Sequence, residues 1–217
     1  TGCNSFRTRK NAVLIKDDEK SSEINMDFFA FGREQNVKLE IGEKKEVYIN
    51  EIKKDSHRRL LGEFQAVVFS PSFLSVIKDG PSEKRKFIDI AISLLKPNYA
   101  AVLSNYNKAV MQRNALLKKI NDGETKEDFL FAFDESVARY GGRIIKYRLD
   151  YIEKLKQYTT DIYAGISGGR ENFELSYLNS VKEEGQTSEE WSQILYDALV
   201  KNRKRDIFRC MTMTGPH

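Results

Sequence analysis

The junction that decides the fold is residues 69–89, Phe-Ser-Pro-Ser-Phe-Leu-Ser-Val-Ile-Lys-Asp-Gly-Pro-Ser-Glu-Lys-Arg-Lys-Phe-Ile-Asp. A short apolar strand is expected to end there at Ser70-Pro71, and Gly80-Pro81 then breaks the chain. Ser82 is a good N-cap for a helix that begins directly after the break. The first turns of this helix carry three consecutive basic residues, Lys84, Arg85 and Lys86. The junction therefore predicts a β-rich half joined to a helical half, with positive charge between them.

The length and composition are typical of a globular protein. The chain has 217 residues, of which 40% are hydrophobic and 31% charged, and its formal net charge is +4. This mild excess of positive charge permits binding to nucleic acid but does not require it. The apolar runs are too short to span a bilayer, and Cys3 and Cys210 lie at opposite ends without metal-ligand spacing. These features predict a cytoplasmic protein with two reduced thiols.

The β-rich half contains three segments in which apolar and polar residues alternate. They cover residues 24–31, 37–41 and 46–49, and together they predict an antiparallel meander. Residues 55–61 are expected to form one short helix. Residues 66–69 are expected to form a strand that is buried on both faces.

The helical half shows two long patterns of apolar residues spaced by three and four positions. One helix starts at Pro97, and a second is predicted over residues 126–158. The expected seam of the first helix is Tyr99, Leu103, Tyr106, Val110, Arg113, Leu117 and Ile120. The expected seam of the second is Leu130, Phe133, Val137, Tyr140, Ile144, Tyr147, Tyr151 and Leu155. Two such helices joined by a tight turn should pack as an antiparallel hairpin. Gly141-Gly142 would let another helix approach the second one closely.

The chain after the hairpin predicts a return to mixed structure. Residues 165–172 are rich in glycine and predict a turn, and the alternation over residues 173–179 predicts a strand. Thr187 or Ser188 is expected to cap a helix that ends near residue 204. A final strand is expected over residues 209–214.

The predicted fold class is α+β, in which a β-meander and flanking strands carry an inserted antiparallel helical hairpin. We expect residues 1–79 to form a β-rich part of one lobe. Residues 80–170 would form a helical lobe, and residues 171–217 would contribute a strand, a helix and a strand to the first lobe.

Patterns for catalysis or metal binding do not stand out. The glycine-rich stretch over residues 165–172 lacks the Gly-Lys-Ser/Thr ending of a P-loop and follows a helix, so a plain turn is the better interpretation. His57 and His217 are isolated, and the sequence contains no Cys-x-x-Cys or His-Glu-x-x-His. These features argue against a stand-alone enzyme and against a bound transition metal.

Basic residues form four clusters along the chain. They are Arg7, Arg9 and Lys10; Arg58 and Arg59; Lys84, Arg85 and Lys86; and Arg203, Lys204 and Arg205. Lys and Arg side chains hold DNA phosphates irrespective of base sequence. The first three clusters are therefore our candidate DNA-binding residues, and a merely solvated charged face is the alternative for each.

Several segments resemble the RecF family of bacterial DNA repair proteins. The most specific block is Phe69-Ser70-Pro71 followed by Gly80-Pro81-Ser82-Glu83. Further matching segments, in chain order, are Ser5-Phe6-Arg7-Thr8, Ile49-Asn50, Gln112-Arg113-Asn114, Ile166-Ser167-Gly168-Gly169, Leu175-Ser176-Tyr177 and Gly215-Pro216-His217. Their common order and spacing identify the chain as similar to RecF over essentially its full length.

The resemblance implies an ATPase head of the ABC type, related to the heads of SMC proteins. It implies that the intact protein uses ATP and Mg²⁺, dimerises when ATP binds, and binds duplex DNA, gaps and junctions. The resemblance further implies that RecR and RecO are its partners. It implies that the protein helps to load the RecA recombinase, takes part in the SOS response, and is located at the nucleoid in the bacterial cytoplasm.

The sequence lacks three motifs of such ATPases, the Walker A loop, the signature motif and the Walker B acid. We therefore expect the chain to be a central portion of a RecF-like protein that neither binds ATP tightly nor hydrolyses it alone, with no catalytic residue and no bound metal. Ser70, Pro71 and Ser72 occupy a place like the nucleotide-sensing Q-loop of the family. Acidic residues commonly follow Ser-Pro there, whereas Ser72-Phe73 follows here.

The alternative hypothesis is a protein-interaction module. A short antiparallel hairpin with apolar residues off its seam would dock RecR or a second protomer. A continuous positive groove would favour DNA, whereas dispersed charge beside an exposed apolar patch would favour a protein partner.

Overall fold

A computed structural model describes residues 8, 10–60, 80–181 and 183–216, without the side chains of residues 57 and 58. The chain divides into two compact units, Thr1–Pro97 and Asn98–His217. The strands are β1 (Ser22–Ala30), β2 (Arg33–Ile41), β3 (Lys45–Ile49) and β4 (Ile52–Lys53). The helices are α1 (Pro81–Leu95), α2 (Pro97–Asn121), α3 (Leu130–Ser167) and α4 (Ser188–Arg209). The α+β fold class is confirmed, and the division into three segments at residues 79 and 170 stays a prediction.

The first unit contains a four-stranded antiparallel sheet in the order β1-β2-β3-β4. Its register pairs Met26 with Val37 and Val37 with Ile49. Since alternate residues of a strand point to the same face, Val37, Val47 and Ile49 form a buried core with Phe28, Leu39 and Leu60 against it. The predicted meander is confirmed.

A two-residue turn connects β1 to β2. Phe31 and Gly32 both have positive φ, at 55° and 75°, which is the backbone of a type I′ turn. This turn matches the right-handed twist of the paired strands. It therefore fixes their register from Ser22 opposite Ile41 to Ala30 opposite Arg33.

Two predictions in this unit need correction. The short helix expected over residues 55–61 is a 3₁₀ turn, His57–Leu60. Helix α1 begins at Pro81 with Gly80 as N-cap and no capping side chain, so Ser82 is not the cap. Proline is suited to the first helical position because its fixed φ is already helical and its missing N–H is not needed there. The strand expected over residues 66–69 lies outside the described residues.

The second unit contains the predicted antiparallel hairpin. The rings of Tyr99 and Tyr147 meet edge to face with centroids 5.2 Å apart, and Arg113 bonds Asp134 at 2.6 Å. Moving forward along α2 thus means moving backward along α3, which defines antiparallel packing. The buried positions of α2 are Tyr99, Val102, Tyr106, Ala109, Arg113 and Leu117. Leu103 and Val110, which were expected in this seam, are only half-buried, because the helical phase favours their preceding neighbours.

Helix α3 is longer than predicted, since it extends from Leu130 to Ser167 rather than from 126 to 158. Gly168 ends it in the left-handed conformation, with φ of 61°, and Gly169 follows with φ of 72°. This arrangement is the usual glycine stop of a helix. The glycine-rich stretch is therefore a helix terminus and a turn.

Helix α4 packs closely against α3 at the glycine pair. A Cβ at Gly142 would lie 2.5 Å from the backbone nitrogen of Ser192 and 2.8 Å from the carbonyl oxygen of Ser188. One at Gly141 would lie 2.8 Å from the Cδ1 of Leu195. The prediction that these glycines admit another helix is confirmed, and that helix is α4.

The strands expected over residues 173–179 and 209–214 are wrong for the described chain. Burial does alternate along the first segment, where residues 173, 175, 177 and 179 are half-buried and those between them exposed. A strand also needs a partner to complete its hydrogen bonds, and within the described ranges neither segment pairs with one. Instead, α4 runs past its predicted end near residue 204 to Arg209, and Cys210 caps it in the left-handed conformation. Residues 173–179 and 212–214 have no regular secondary structure.

We predict that Gly142→Ala destabilises the second unit by about 1–3 kcal/mol, because the added methyl group meets backbone atoms that cannot move aside. Urea unfolding followed by fluorescence of Trp191, the single tryptophan, reports on this unit. Gly165→Ala is the matched control in the same helix, since nothing lies within 4 Å of its added Cβ. The control should stabilise by about 0.5–1 kcal/mol, and equal effects of both changes would contradict the packing argument.

Candidate nucleic-acid surface and buried ionic network

The structure places Lys84, Arg85 and Lys86 in the first turns of α1. Lys84 and Lys86 are exposed, Arg85 is half-buried, and Lys86 pairs with Glu83 at 3.4 Å. Consecutive residues of a helix project about 100° apart, so the three side chains do not share one surface. Their contact with DNA stays a prediction.

The remaining predicted basic residues are only partly described. Lys10 is exposed and precedes a 3₁₀ turn, Asn11–Leu14. Arg59 is exposed and bonds Asp55 at 3.3 Å. Arg7, Arg9, the Arg58 side chain and the Q-loop-like Ser70, Pro71 and Ser72 lie outside the described residues.

The outward face of the sheet is acidic. It carries five carboxylates and two lysines, which are Glu23, Asp27, Glu34, Glu40, Glu46, Lys38 and Lys53. Lys38 bonds Glu40 at 2.6 Å and Glu23 at 3.3 Å, and Lys53 bonds Glu46 at 2.6 Å. The hydrogen bond to Glu40 raises the pKa of Lys38, and the bond from Lys53 lowers the pKa of Glu46. Both lysines are thus committed to carboxylates, and this face is unsuited to phosphate.

A network of buried charges lies inside the second unit. Arg113 is fully buried, and its Nε donates to Asp134 Oδ1 at 2.6 Å while its Nη1 donates to Asp206 Oδ2 at 2.8 Å. Arg203 Nε donates to the other oxygen of Asp134 at 2.7 Å. Two arginines and two aspartates therefore neutralise one another, which is the condition for holding charge away from water. The network joins α2, α3 and α4.

The same network holds the chain that follows α4. Arg113 Nη1 also donates to Thr212 Oγ1 at 2.9 Å, and Asp206 Oδ1 accepts from the Met213 amide at 3.2 Å. Asn114 Oδ1 accepts from the amide and the hydroxyl of Thr212 at 2.8 and 2.7 Å. Side chains of α2 and α4 thus hold this irregular segment by four hydrogen bonds.

A second set of contacts holds Gly215 and Pro216. Arg148 and Tyr177 both donate to the carbonyl oxygen of Pro216, the tyrosine hydroxyl at 2.6 Å. Ser180 Oγ donates to the carbonyl oxygen of Gly215 at 2.6 Å and accepts from its amide at 2.7 Å. The extended residues 173–181 therefore serve as a strap over the Gly-Pro segment.

Tyr106 lies near both sets of contacts. Burial raises the pKa of its hydroxyl well above the usual range, and the nearby Arg148 opposes this only in part. The hydroxyl stays neutral at all ordinary pH values, so it adds no charge to the balanced network. Within the described ranges it has no hydrogen-bond partner.

Sequence reasoning placed Arg113 in the apolar seam of α2 but did not identify its ion pairs. The sequence signal for these ion pairs was the arginine itself, because an arginine at a buried seam position requires a buried acid opposite it. Asp206 and Thr212 carried no such signal, since they are 93 and 99 residues away from Arg113.

Groups of three or more His, Cys, Asp or Glu side chains that could hold a metal ion are absent from the described ranges. Helices with the length and apolarity needed to cross a bilayer are likewise absent from that part of the chain.

We predict that Asp134→Ala destabilises the second unit by about 3–5 kcal/mol, because it leaves Arg113 buried with part of its charge unbalanced. Asp150→Ala is the control on the same helix, since its pair with Lys146 is exposed. Its removal should change stability by about 0–1 kcal/mol. Urea unfolding followed through Trp191 distinguishes the two, and a small loss for Asp134→Ala would show that the network is not a stabilising constraint.

Comparisons with known proteins agree on one family. The chain is 38% identical to the DNA replication and repair protein RecF of Caldanaerobacter subterraneus subsp. tengcongensis, covering 98% of this chain and 59% of that protein. It is 37% identical to RecF of Streptococcus gordonii, covering 98% of this chain and 58% of that protein. No protein-family model matches the chain.

Solved structures give the same result. A structure of the recombination mediator protein RecF-ATPrS in the RecFOR pathway superposes with a TM-score of 0.90 at 36% identity, covering 99% of this chain and 58% of that one. A structure of RecF-ATP in the same pathway gives a TM-score of 0.89. The predicted resemblance is confirmed: the chain is a homologue of the RecF proteins and spans about 58% of the length of the relatives it matches.

Proposed function

We propose that this chain acts as part of a RecF-type recombination mediator in DNA replication and repair. The observation that carries the proposal is the agreement of sequence and structure with RecF over 98–99% of the chain, at a TM-score of 0.90. The solved relatives are described as RecF-ATP and RecF-ATPrS, which supports ATP as the nucleotide of the whole protein.

The finer parts of the proposal follow from the family resemblance. ATP with Mg²⁺ would drive dimerisation, the dimer would bind DNA at gaps and junctions, and RecR and RecO would join it to load RecA as part of the SOS response. This would take place in the bacterial cytoplasm. The chain lacks a P-loop sequence, so ATP hydrolysis by this chain alone is not expected.

The buried networks suggest what this chain contributes. They hold residues 212–216, including the family-like Gly215-Pro216, through Arg113 and Asn114 of α2, Arg148 of α3 and Tyr177 of the strap. We propose that the second unit is a rigid support that fixes the direction of the chain at this segment. Rigid support is what an ATP-operated site needs from the elements around it.

We predict that the purified chain binds duplex and gapped DNA with an affinity that falls steeply as salt increases, because phosphate contacts release counterions. Fluorescence anisotropy with single-stranded, duplex and gapped DNA across a salt series measures this. Absence of binding even at low salt would remove DNA contact from this chain's share of the function.

A second candidate function, docking of a partner protein, is favoured by an exposed stripe at the far end of α3. We call it the distal stripe; it consists of Tyr158, Ile162 and Ile166, which are 71%, 62% and 78% exposed. Their spacing of four residues puts them on one side of the helix. They continue the α3 seam past Tyr147, which already faces Tyr99 near the start of α2. The stripe therefore extends beyond the helix that covers the seam, and RecR is the proposed occupant.

We predict that the double change Ile162→Glu and Ile166→Glu weakens binding of RecR by about tenfold or more, because it places charge in an apolar contact, and leaves DNA binding unchanged. Thr160→Glu with Ala164→Glu is the control on the other side of α3. Titration calorimetry with purified RecR measures the difference. Equal loss in both variants would reject the distal stripe as the docking surface.

A further inference from the structure

The outward side of α4 carries a set of charges that the candidate residues above do not include. Trp191, Leu195, Leu199 and Asp206 are its buried residues. Four exposed residues lie on its outward side, Lys201, Lys204, Arg205 and Phe208. Lys204 and Arg205 are adjacent, and each of them is three or four residues from Lys201 and from Phe208. That spacing places them together on the side of the last two turns that faces away from the core. We call these four residues the α4 stripe.

The charges of the α4 stripe are free to meet a ligand. Within the described ranges Lys201, Lys204 and Arg205 make no ion pair, whereas Lys86 of α1 is paired with Glu83. The nearest acid on the same side, Asp197, accepts a hydrogen bond from Gln193 at 2.9 Å. Asp206 points inward to Arg113. Within the described ranges the stripe thus presents three positive charges that make no ion pair with a carboxylate.

The dimensions of the stripe suit a nucleic-acid backbone. A helix rises about 1.5 Å per residue, so Lys201 and Phe208 are separated by about 10 Å along the axis. One DNA strand carries a phosphate about every 3.4 Å along the duplex axis. Three neighbouring cations on the helix can therefore contact consecutive phosphates.

Phe208 distinguishes this surface from an ordinary solvated face. Its side chain is 81% exposed although it stands among cations. Basic residues near a helix C-terminus are also favoured by the helix dipole, and this accounts for Arg205 and Arg209. It accounts neither for Lys201, which lies two turns from the end, nor for an exposed aromatic ring. Stacking of bases on aromatic rings beside a positive track is the usual form of single-strand binding.

The anchorage of α4 strengthens the argument. Asp206, within the same two turns, is held by Arg113 and by the Met213 amide. Arg203 is held by Asp134. The stripe is therefore presented by a helix that is fixed on its inner side, which lowers the entropy lost on binding.

We propose that the α4 stripe is a DNA-contact site, in which Lys201, Lys204 and Arg205 bind phosphates and Phe208 lies against a sugar or an unstacked base. This inference rests on the proposed DNA-binding function and assigns that function to a surface other than Lys84, Arg85 and Lys86.

The test compares the full chain with three variants by fluorescence anisotropy, using single-stranded and gapped DNA across a salt series. The stripe variant is Lys201→Glu, Lys204→Glu and Arg205→Glu. The charge-matched control is Lys108→Glu, Lys118→Glu and Lys119→Glu on exposed positions of α2. The third variant, Phe208→Ala, removes the ring and keeps the charges. Urea unfolding followed through Trp191 establishes that each variant is folded.

The stripe variant should lose about tenfold or more in affinity, and its plot of log affinity against log salt should flatten by about 2–3 in slope. Phe208→Ala should lose about fivefold or more for single-stranded DNA, with an unchanged slope. The matched control should lose clearly less than the stripe variant. This combination supports the inference.

Other outcomes overturn it in distinguishable ways. If the unaltered chain binds DNA and the stripe variant binds equally well, the site is elsewhere and the proposed function stands. An equal loss in the matched control means that net charge alone is responsible. If polyglutamate displaces DNA from the unaltered chain at equal charge concentration, the stripe binds acidic protein segments instead. Absence of DNA binding by the unaltered chain overturns the inference together with DNA contact by this chain.

Discussion

A charge that is withdrawn from water must be neutralised where it lies, and Arg113 imposes this requirement on the second unit. Its guanidinium needs an acid on α3 and another on α4, and Asp134 and Asp206 meet that need. Asp134 also forms an ion pair with Arg203. The relative positions of three helices are thereby set by planar donors with fixed directions, which tolerate less sliding than an apolar seam does.

The close contact of α3 with α4 makes this geometry attainable. Gly141 and Gly142 remove the side chains that would keep the helices apart, and α4 then lies near enough for Arg203 to reach Asp134. Large residues separate α2 from α3 instead, with Tyr99 against Tyr147 and Arg113 against Asp134. One side of α3 is packed by contact of backbones and the other by long side chains. The Gly-Pro segment is held by Arg148, Tyr177 and Ser180, and Pro216 lies close to Gly141.

Local patterns predicted most of the fold, and contacts between distant residues account for the errors. The meander follows from short alternating segments, the hairpin from apolar spacing along each helix, and the close helix contact from the adjacent Gly141 and Gly142. The alternation of residues 173–179 was detected correctly, yet it reflects a strap over the helices and Pro216 rather than a paired strand. Alternating apolar and polar residues indicate which side of a segment is buried. They do not specify whether a neighbouring strand or a helix buries that side. The ion pairs of Arg113 were beyond prediction because their partner on α4 is 93 residues away.

The basic clusters show why charge in a sequence is a poor guide to charge on a surface. Arg203, Lys204 and Arg205 are consecutive, but the helix turns the first inward to Asp134 and the other two outward. Lys84, Arg85 and Lys86 are equally dense in the sequence, and they spread over separate sides of α1 with one of them paired to Glu83. Helical phase and the positions of acids thus decide which cations remain available. By that criterion the outward side of α4 suits phosphate better than the start of α1 does, and the buried network on the opposite side holds the helix in place.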